Sequence, residues 1–541
     1  MPRDVIVIGA GVNGLAAAAF LARAGLKPLV LERAERIGGC AITTEIAPGF
    51  RCPTLAHMAA IDPAIVRALG LTRHGLQIIR PQAHVCAPAG DGRALVLWAD
   101  ARRAAQSIAP FSARDADRYP RFLECFARIS AVIRALTAAP PPSLDHPSAG
   151  DLIELMKTGR RFRALDKVDA YRLLRWMPMA AADLVSEWFD SEPLRATIAM
   201  GGVLGSFLGP WSAGSGALLL LLGAGEGHPV GGWLARGGSG AIADALASAA
   251  RQAGAEIRTG ADVRAITIDA ESAAGVLLAT GESISARMVI SSADPKHTLL
   301  GLVDPMHLAP DFLRRVQHVR MHGTLAKVNY AVSTLPGFSG LAAAGGGPAK
   351  PDHDNGSNRA DEAAALSGRV RLTGDIDGLE RAFDAAKYGG VADKPAIELT
   401  IPSIADASLA PAGRHVVSAY VQFAPYHLRG TTWDVERDRL AAAATRTIAR
   451  HAPGFESTIV AQQVITPVDL ERTYGLTGGH IFHGELALDQ FFVTRPLLGW
   501  ARYRTPIRHL YLCGSGSHPG TGLNGQSGAL AAKEILKAVR G

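Results

Sequence analysis

Six residues near the N-terminus, Gly9-Ala10-Gly11-Val12-Asn13-Gly14, have the types and spacing that bind a pyrophosphate. Gly9 permits a tight turn, Gly11 lets a phosphate approach the backbone, and Gly14 lets a helix pack closely on the preceding strand. Val12 and Asn13 complete the turn between them. A helix that opens here directs free N–H groups and its positive dipole end at the anion. Glu32 follows at the end of a second strand pattern, where an acid accepts hydrogen bonds from ribose hydroxyls. Glycines alone are weak evidence. The strand pattern at 4–8, the alanine-rich helix pattern at 13–24 and the strand pattern at 28–32 supply the βαβ context of a dinucleotide site. Arg33 leaves open a 2′-phosphate, and so a different dinucleotide.

A second glycine pair, Gly38-Gly39, follows in the run ERAERIGGCAITT. At the other end of the chain stands HLYLCGSGSHPGTGLNG, residues 509–525. There a strand pattern runs into Gly514, a loop crosses over, and a helix pattern begins near 523, offering a second dipole end to a ligand. The glycine pair resembles the continuation seen in FAD-dependent amine oxidases and phytoene desaturases. The tail resembles the last FAD motif of the phytoene desaturase group. Segments 394–428 and 467–496 look like one branch of those phytoene desaturase-like flavoproteins. The resemblance covers nearly the whole chain and is weakest at 100–200 and 340–367. It implies FAD, with Gly38 and Gly39 adding pyrophosphate contacts and Gly514, Ser515, Gly522, Leu523 and Asn524 lying near the flavin. It also implies a role for the Val263 backbone at the adenine, where an ordinary buried valine is the alternative. Many flavoproteins carry Gly-Asp where this chain has Gly514-Ser515, so no carboxylate contact to the flavin is expected there.

The isoalloxazine would carry the redox chemistry, with the protein supplying orientation and exclusion of water. A desaturation loses a hydride and a proton, so a nearby base assists. Polar candidates are His518 in the tail, His483 and His480 in GGHIFHG, and His57, with a hydrogen-bonded structural histidine as the alternative for each. The apolar run 217–222, with Trp211 and Trp233, is a candidate lining for a hydrophobic small-molecule substrate, or plain core. A single complete fingerprint gives no second site for a nicotinamide, so the expected electron acceptor is a quinone or oxygen. Oxidation of an amine, a redox-neutral isomerisation and flavin binding without turnover remain as alternatives.

Elements around these motifs must bring the two ends of the chain together. The expected fold is α/β: a discontinuous Rossmann-like FAD-binding domain (1–80, 235–300 and 500–541) and a mixed-sheet plus helical substrate domain (81–234 and 301–499). The helical part falls near 100–200. Glycine-rich stretches 205–216 and 223–240 read as irregular, and 340–367 as an exposed loop. With 541 residues and 48% hydrophobic content the chain builds large cores without staples. Five scattered cysteines form no CxxC pair, so neither a redox disulfide nor a zinc site is expected. A net charge of +7 without basic-aromatic interleaving argues against nucleic acid and admits peripheral contact with anionic lipid. The apolar N-terminal stretch is broken by Gly9, Gly11, Asn13 and Arg23, so neither a signal nor a membrane span is expected, and the location reads as cytoplasmic.

Overall fold

The computed structural model describes residues 3–143, 147, 149–341 and 355–540. Five parallel strands lie under the N-terminal glycines in the order Leu510–Leu512, Val289–Ser291, Val5–Ile8, Pro28–Leu31 and Glu256–Arg258. The first four are buried along their whole length, which is why they read as short apolar runs without alternation. Val5 and Val7 face a core shared with helices Val12–Arg23, Gly240–Gln252 and Gln526–Arg540. Ile6 and Ile8 face the other way, toward an antiparallel sheet of Val263–Asp269, Ser272–Leu278 and Ser283–Ser285. Segments from both ends and the middle of the chain thus form one α/β layer, the expected discontinuous Rossmann-like arrangement.

A seven-stranded mixed sheet stands beside it. Its order is Ile459–Ile465, Leu325–Val332, His415–Gln422, Ala396–Thr400, Arg369–Leu372, Ala83–Pro88 and Ala94–Trp98. Only the pairing of Arg369–Leu372 with Ala83–Pro88 is parallel. One face carries Val328, Ala419, Leu399 and Val370 into the largest core, against helices that include Ala113–Thr137 and Trp433–His451. Side chains alternate across a strand. The opposite face is therefore set by Lys327, Tyr420, Glu398 and Arg371.

Two expectations change. Residues 215–226, expected to be irregular at both ends, form one continuous helix, Ser215–Glu226. Its glycines permit close packing and do not break it: a Cβ on Gly216 would lie 2.4 Å from the Trp176 carbonyl oxygen, and one on Gly223 would lie 2.5 Å from the Phe126 ring. Burial along most of its length outweighs the weak helix propensity of glycine. Of the expected loop at 340–367, residues 342–354 lie outside the described residues, while Asn355–Ala365 is helical.

The two terminal helices pack tightly at Gly528, where a Cβ would lie 1.9 Å from the Asn13 carbonyl oxygen. Substituting Gly528→Ala forces the first and last helices apart. The expected loss is about 1–3 kcal/mol, typical of overpacking. A calorimetric melt checks it, and an unchanged melting temperature contradicts the close packing.

Candidate active site

The N-terminal glycines open into a cleft of about 160 Å³ lined by Gly9, Gly11, Val12, Asn13, Glu32, Arg33, Gly39, Val263, His483, Ser515 and Leu523, among others. Gly9 takes a φ of +90° and its N–H donates to the Leu31 carbonyl at 2.7 Å, which bends the chain out of the strand. A Cβ on Gly14 would lie 2.2 Å from the Gly9 oxygen, so this turn and helix fit only around glycine. A Cβ on Gly11 would meet nothing within 4 Å, so that face is open to a ligand. Glu32 is held at the strand end by accepting from the N–H of Ala10 at 2.7 Å and of Ala34 at 3.0 Å. Gly38 donates to the Ala10 carbonyl at 2.9 Å, and Gly39 lies against Gly11. Arg33 borders the cleft and donates to the Thr473 carbonyl at 2.9 Å.

The chain ends meet in this cleft. Asn13 Nδ2 donates to Ser515 Oγ at 3.0 Å and to the Gly522 carbonyl at 3.4 Å, and Ser515 Oγ donates to the same carbonyl at 3.0 Å. Gly514 packs on the Ser292 carbonyl, where a Cβ would lie at 2.3 Å. Asn13 Oδ1 is buried without a hydrogen-bond partner and stays available at the helix N-terminus. A turn open at Gly11, a fixed carboxylate and a helix N-terminus fit the phosphates and ribose of a dinucleotide.

Cys40, Leu476, Ile481 and Leu523 line both this cleft and a second cavity of about 580 Å³. Leu219, Leu221, Leu222, Trp233, Met58 and Phe482 form apolar walls of the larger cavity, and Gly522 and Asn524 also border it. Burial pushes the Cys40 thiol up to about 12, so it stays protonated at the junction.

The floor of this cavity is polar. Arg371, Glu398, Tyr420 and Lys327 stand in direct cross-strand register over four neighbouring strands. Glu398 contacts Arg371 at 2.8 Å, Arg369 at 3.2 Å and His57 Nε2 at 3.3 Å. Arg369 also pairs with Glu226. Lys327 Nζ donates to Ser418 Oγ at 2.6 Å, lies 3.2 Å from His57 Nδ1 and sits 4.2 Å from the Tyr420 ring centre. Burial alone would raise the Glu398 carboxyl, but Arg371, Arg369 and His57 overrule it and hold the group far below the usual range. Burial, then the charge of Lys327, pulls His57 down to about 3, so its ring is neutral. Glu398 must accept, so the ring proton belongs on Nε2 and Nδ1 accepts from Lys327. Burial pulls Lys327 down to about 7, with Cys52 and Glu398 opposing.

The structure therefore separates the histidines named from sequence. His57 lies on the cavity floor and His483 in the narrow cleft, where its buried Nδ1 lacks a hydrogen-bond partner. His518 lines neither space: it is buried between Phe492 and the carbonyls at the end of helix Ala113–Thr137. His480 is also buried outside both. Trp233 and the 217–222 run reach the cavity, but Trp211 is on the surface against Glu380. Lys327, Arg369, Arg371, Glu398 and Tyr420 were missed by sequence reading. Their signal is a charge inside an otherwise apolar strand, as in LAKVNYAV and RVRL.

Residues 13–339 match the model of the flavin containing amine oxidoreductase family. Pyridine nucleotide-disulfide oxidoreductase domain-containing protein 2 of Rattus norvegicus is 36% identical over 99% of this chain and 94% of its own. The lycopene-forming phytoene desaturase of Pantoea ananas is 26% identical, covering 98% of each. A redesigned variant of putrescine oxidase shares the fold with a TM-score of 0.61 at 18% identity, covering all of both chains. The chain belongs to the flavin-containing amine oxidoreductase family and is an FAD-dependent oxidoreductase.

Proposed function

We propose that the protein dehydrogenates an uncharged, largely apolar molecule held in the 580 Å³ cavity, passing the electrons to a quinone or oxygen. The observation that carries this reading is the cavity itself: leucine and tryptophan walls over a floor charged mostly positive. Its charged lining is Arg67, Arg134, Arg369 and Arg371 against Asp62, Glu226 and Glu398, with Lys327 adding a further positive charge whenever it is protonated. Such a lining repels a cationic amine, so the amine reading is the weaker one. In this reading residues 1–80, 235–300 and 500–541 hold the cofactor, and the remainder holds substrate. Gly9, Gly11, Val12, Asn13, Glu32, Gly39, Val263, Ser515 and Leu523 would contact FAD in the cleft, with Gly522 and Asn524 at the cavity side.

Bound FAD supplies a two-electron acceptor for a substrate hydride. Lys327, as the free base, takes the proton lost from the adjacent carbon, and His57 orients it by accepting its N–H. Glu398 keeps His57 in the accepting tautomer. The apolar walls exclude water.

Peripheral membrane contact belongs to the same reading. Helices Ala149–Arg163 and Lys167–Trp176 expose Leu152, Ile153, Leu155, Met156, Val168, Tyr171 and Leu174 beside Arg160, Arg161, Arg163 and Lys167. Helix Ala113–Thr137, which lines the cavity at Arg134 and Thr137, leads into this surface. Among the described residues no helix is long and apolar enough to cross a membrane. Apolar side chains among arginines and lysines suit an anionic lipid surface.

Mixing the FAD-loaded protein anaerobically with candidate donors tests the function. Uncharged alkenes or alcohols should bleach the flavin absorbance, and cationic amines should not; bleaching by amines alone overturns the reading. The bleaching rate should rise with pH through about 7, as Lys327 loses its proton. In Lys327→Met the pH dependence should vanish and the rate fall by about 100-fold or more. A variant as fast as the parent removes Lys327 from the chemistry.

Flotation with vesicles tests the surface. The protein should float with phosphatidylserine vesicles and not with neutral ones. The double variant Leu152→Glu, Met156→Glu should lose that binding; retention of it places the contact elsewhere.

A further inference from the structure

Arg495 is among the largest fully buried side chains, and among the described residues no carboxylate pairs with it. Backbone carbonyls take its place. Its guanidinium donates to the carbonyl of Ser515 from Nε at 3.1 Å and from Nη2 at 2.7 Å. It also donates to the carbonyls of Phe482 at 2.7 Å, Glu485 at 2.9 Å, Gly484 at 3.2 Å and Gln490 at 3.3 Å. Gly520 lies so close that a Cβ there would be 2.0 Å from Nε. The backbone has room for this guanidinium and nothing more.

Those carbonyls belong to two loops that border the site. Phe482 lines the large cavity, while His483 and Ser515 line the narrow cleft. His483 takes a φ of +57°, a left-handed conformation unusual for a residue with a Cβ, so its turn needs an outside hold. A planar fork with five donors gives that hold, which a lysine would not.

We infer that Arg495 is a positioning residue for the cofactor: it ties the 482–485 turn to the Ser515 loop and places an uncompensated buried positive charge beneath the FAD cleft. Burial pulls its pKa down only to about 9, so it stays charged at neutral pH. Its field also helps keep His480, His483 and His518 neutral, after burial. A fixed cation in a region of low dielectric favours negative charge on a neighbouring group. Arg495 therefore favours both FAD binding and acceptance of electrons.

The inference rests on the glycine cleft holding FAD, and the test separates the two. Apoprotein is titrated with FAD by flavin fluorescence, and the midpoint potential is measured by dye equilibration, for the parent, Arg495→Gln and Arg495→Lys. A parent that does not bind FAD would defeat the reading of the cleft. Given parental binding, Arg495→Gln should weaken FAD by about tenfold or more, the loss of hydrogen bonds from a charged donor, and move the potential negative. Arg495→Lys keeps the charge without the fork. It should weaken FAD while leaving the potential near the parental value. Should Arg495→Gln fail to fold, Arg495→Lys decides. Parental affinity in Arg495→Lys, or a parental potential in a folded Arg495→Gln, overturns the inference.

Discussion

One buried carboxylate, Glu398, lets two arginines, a histidine and a lysine share the floor of a single cavity. It touches Arg371, Arg369 and His57, and His57 in turn meets Lys327. Removing it would leave two guanidinium groups with only Glu226 between them, a loss of several kcal/mol for uncompensated buried charge. Such a network is a costly way to fill a core, since apolar residues of similar size often do as well. Its position at the base of an apolar cavity gives it a use. Burial there holds His57 neutral and pulls Lys327 down to about 7, while Glu398 opposes both shifts and fixes the His57 tautomer.

The sheet determines where these groups stand. Register over four strands puts Arg371, Glu398, Tyr420 and Lys327 in one transverse row, while the alternate residues Val370, Leu399, Ala419 and Val328 build the largest core behind it. A slip of one residue would send the charges into that core and the valines into the cavity. The same burial therefore fixes both fold and site. The glycine cleft is organised by a different contact, the meeting of Asn13 with Ser515 and Gly522 across the whole length of the chain. Gly528 lets the terminal helices pack together next to it, against the Asn13 backbone. The two sites join at Cys40, Leu476, Ile481 and Leu523.

The glycine cleft was legible because its signals are local. Gly9, Gly11, Gly14 and Glu32 lie within one βαβ unit, and their spacing is set by a turn, a helix and two strands. The tail from Gly514 to Asn524 was readable for the same reason. The floor of the cavity was not, because its strand residues are scattered over four strands between residues 325 and 422 and only cross-strand register brings them together. His518, in the most recognisable tail motif, lies outside both cavities, because the loop that carries it turns back beneath Phe492. The helix Ser215–Glu226 was hidden by glycines that serve close packing in three dimensions, a cause invisible along one chain.

The proposed function requires the two cavities to form one site, with FAD spanning from the glycine cleft to the edge of the apolar cavity. A crystal structure of the FAD-loaded protein tests this directly. The account predicts the pyrophosphate at Gly11 and Asn13, the adenosine ribose at Glu32, and the isoalloxazine at the junction lined by Cys40, Ile481 and Leu523, facing Lys327. An isoalloxazine lying away from that junction, with the apolar cavity closed off from it, would contradict the account.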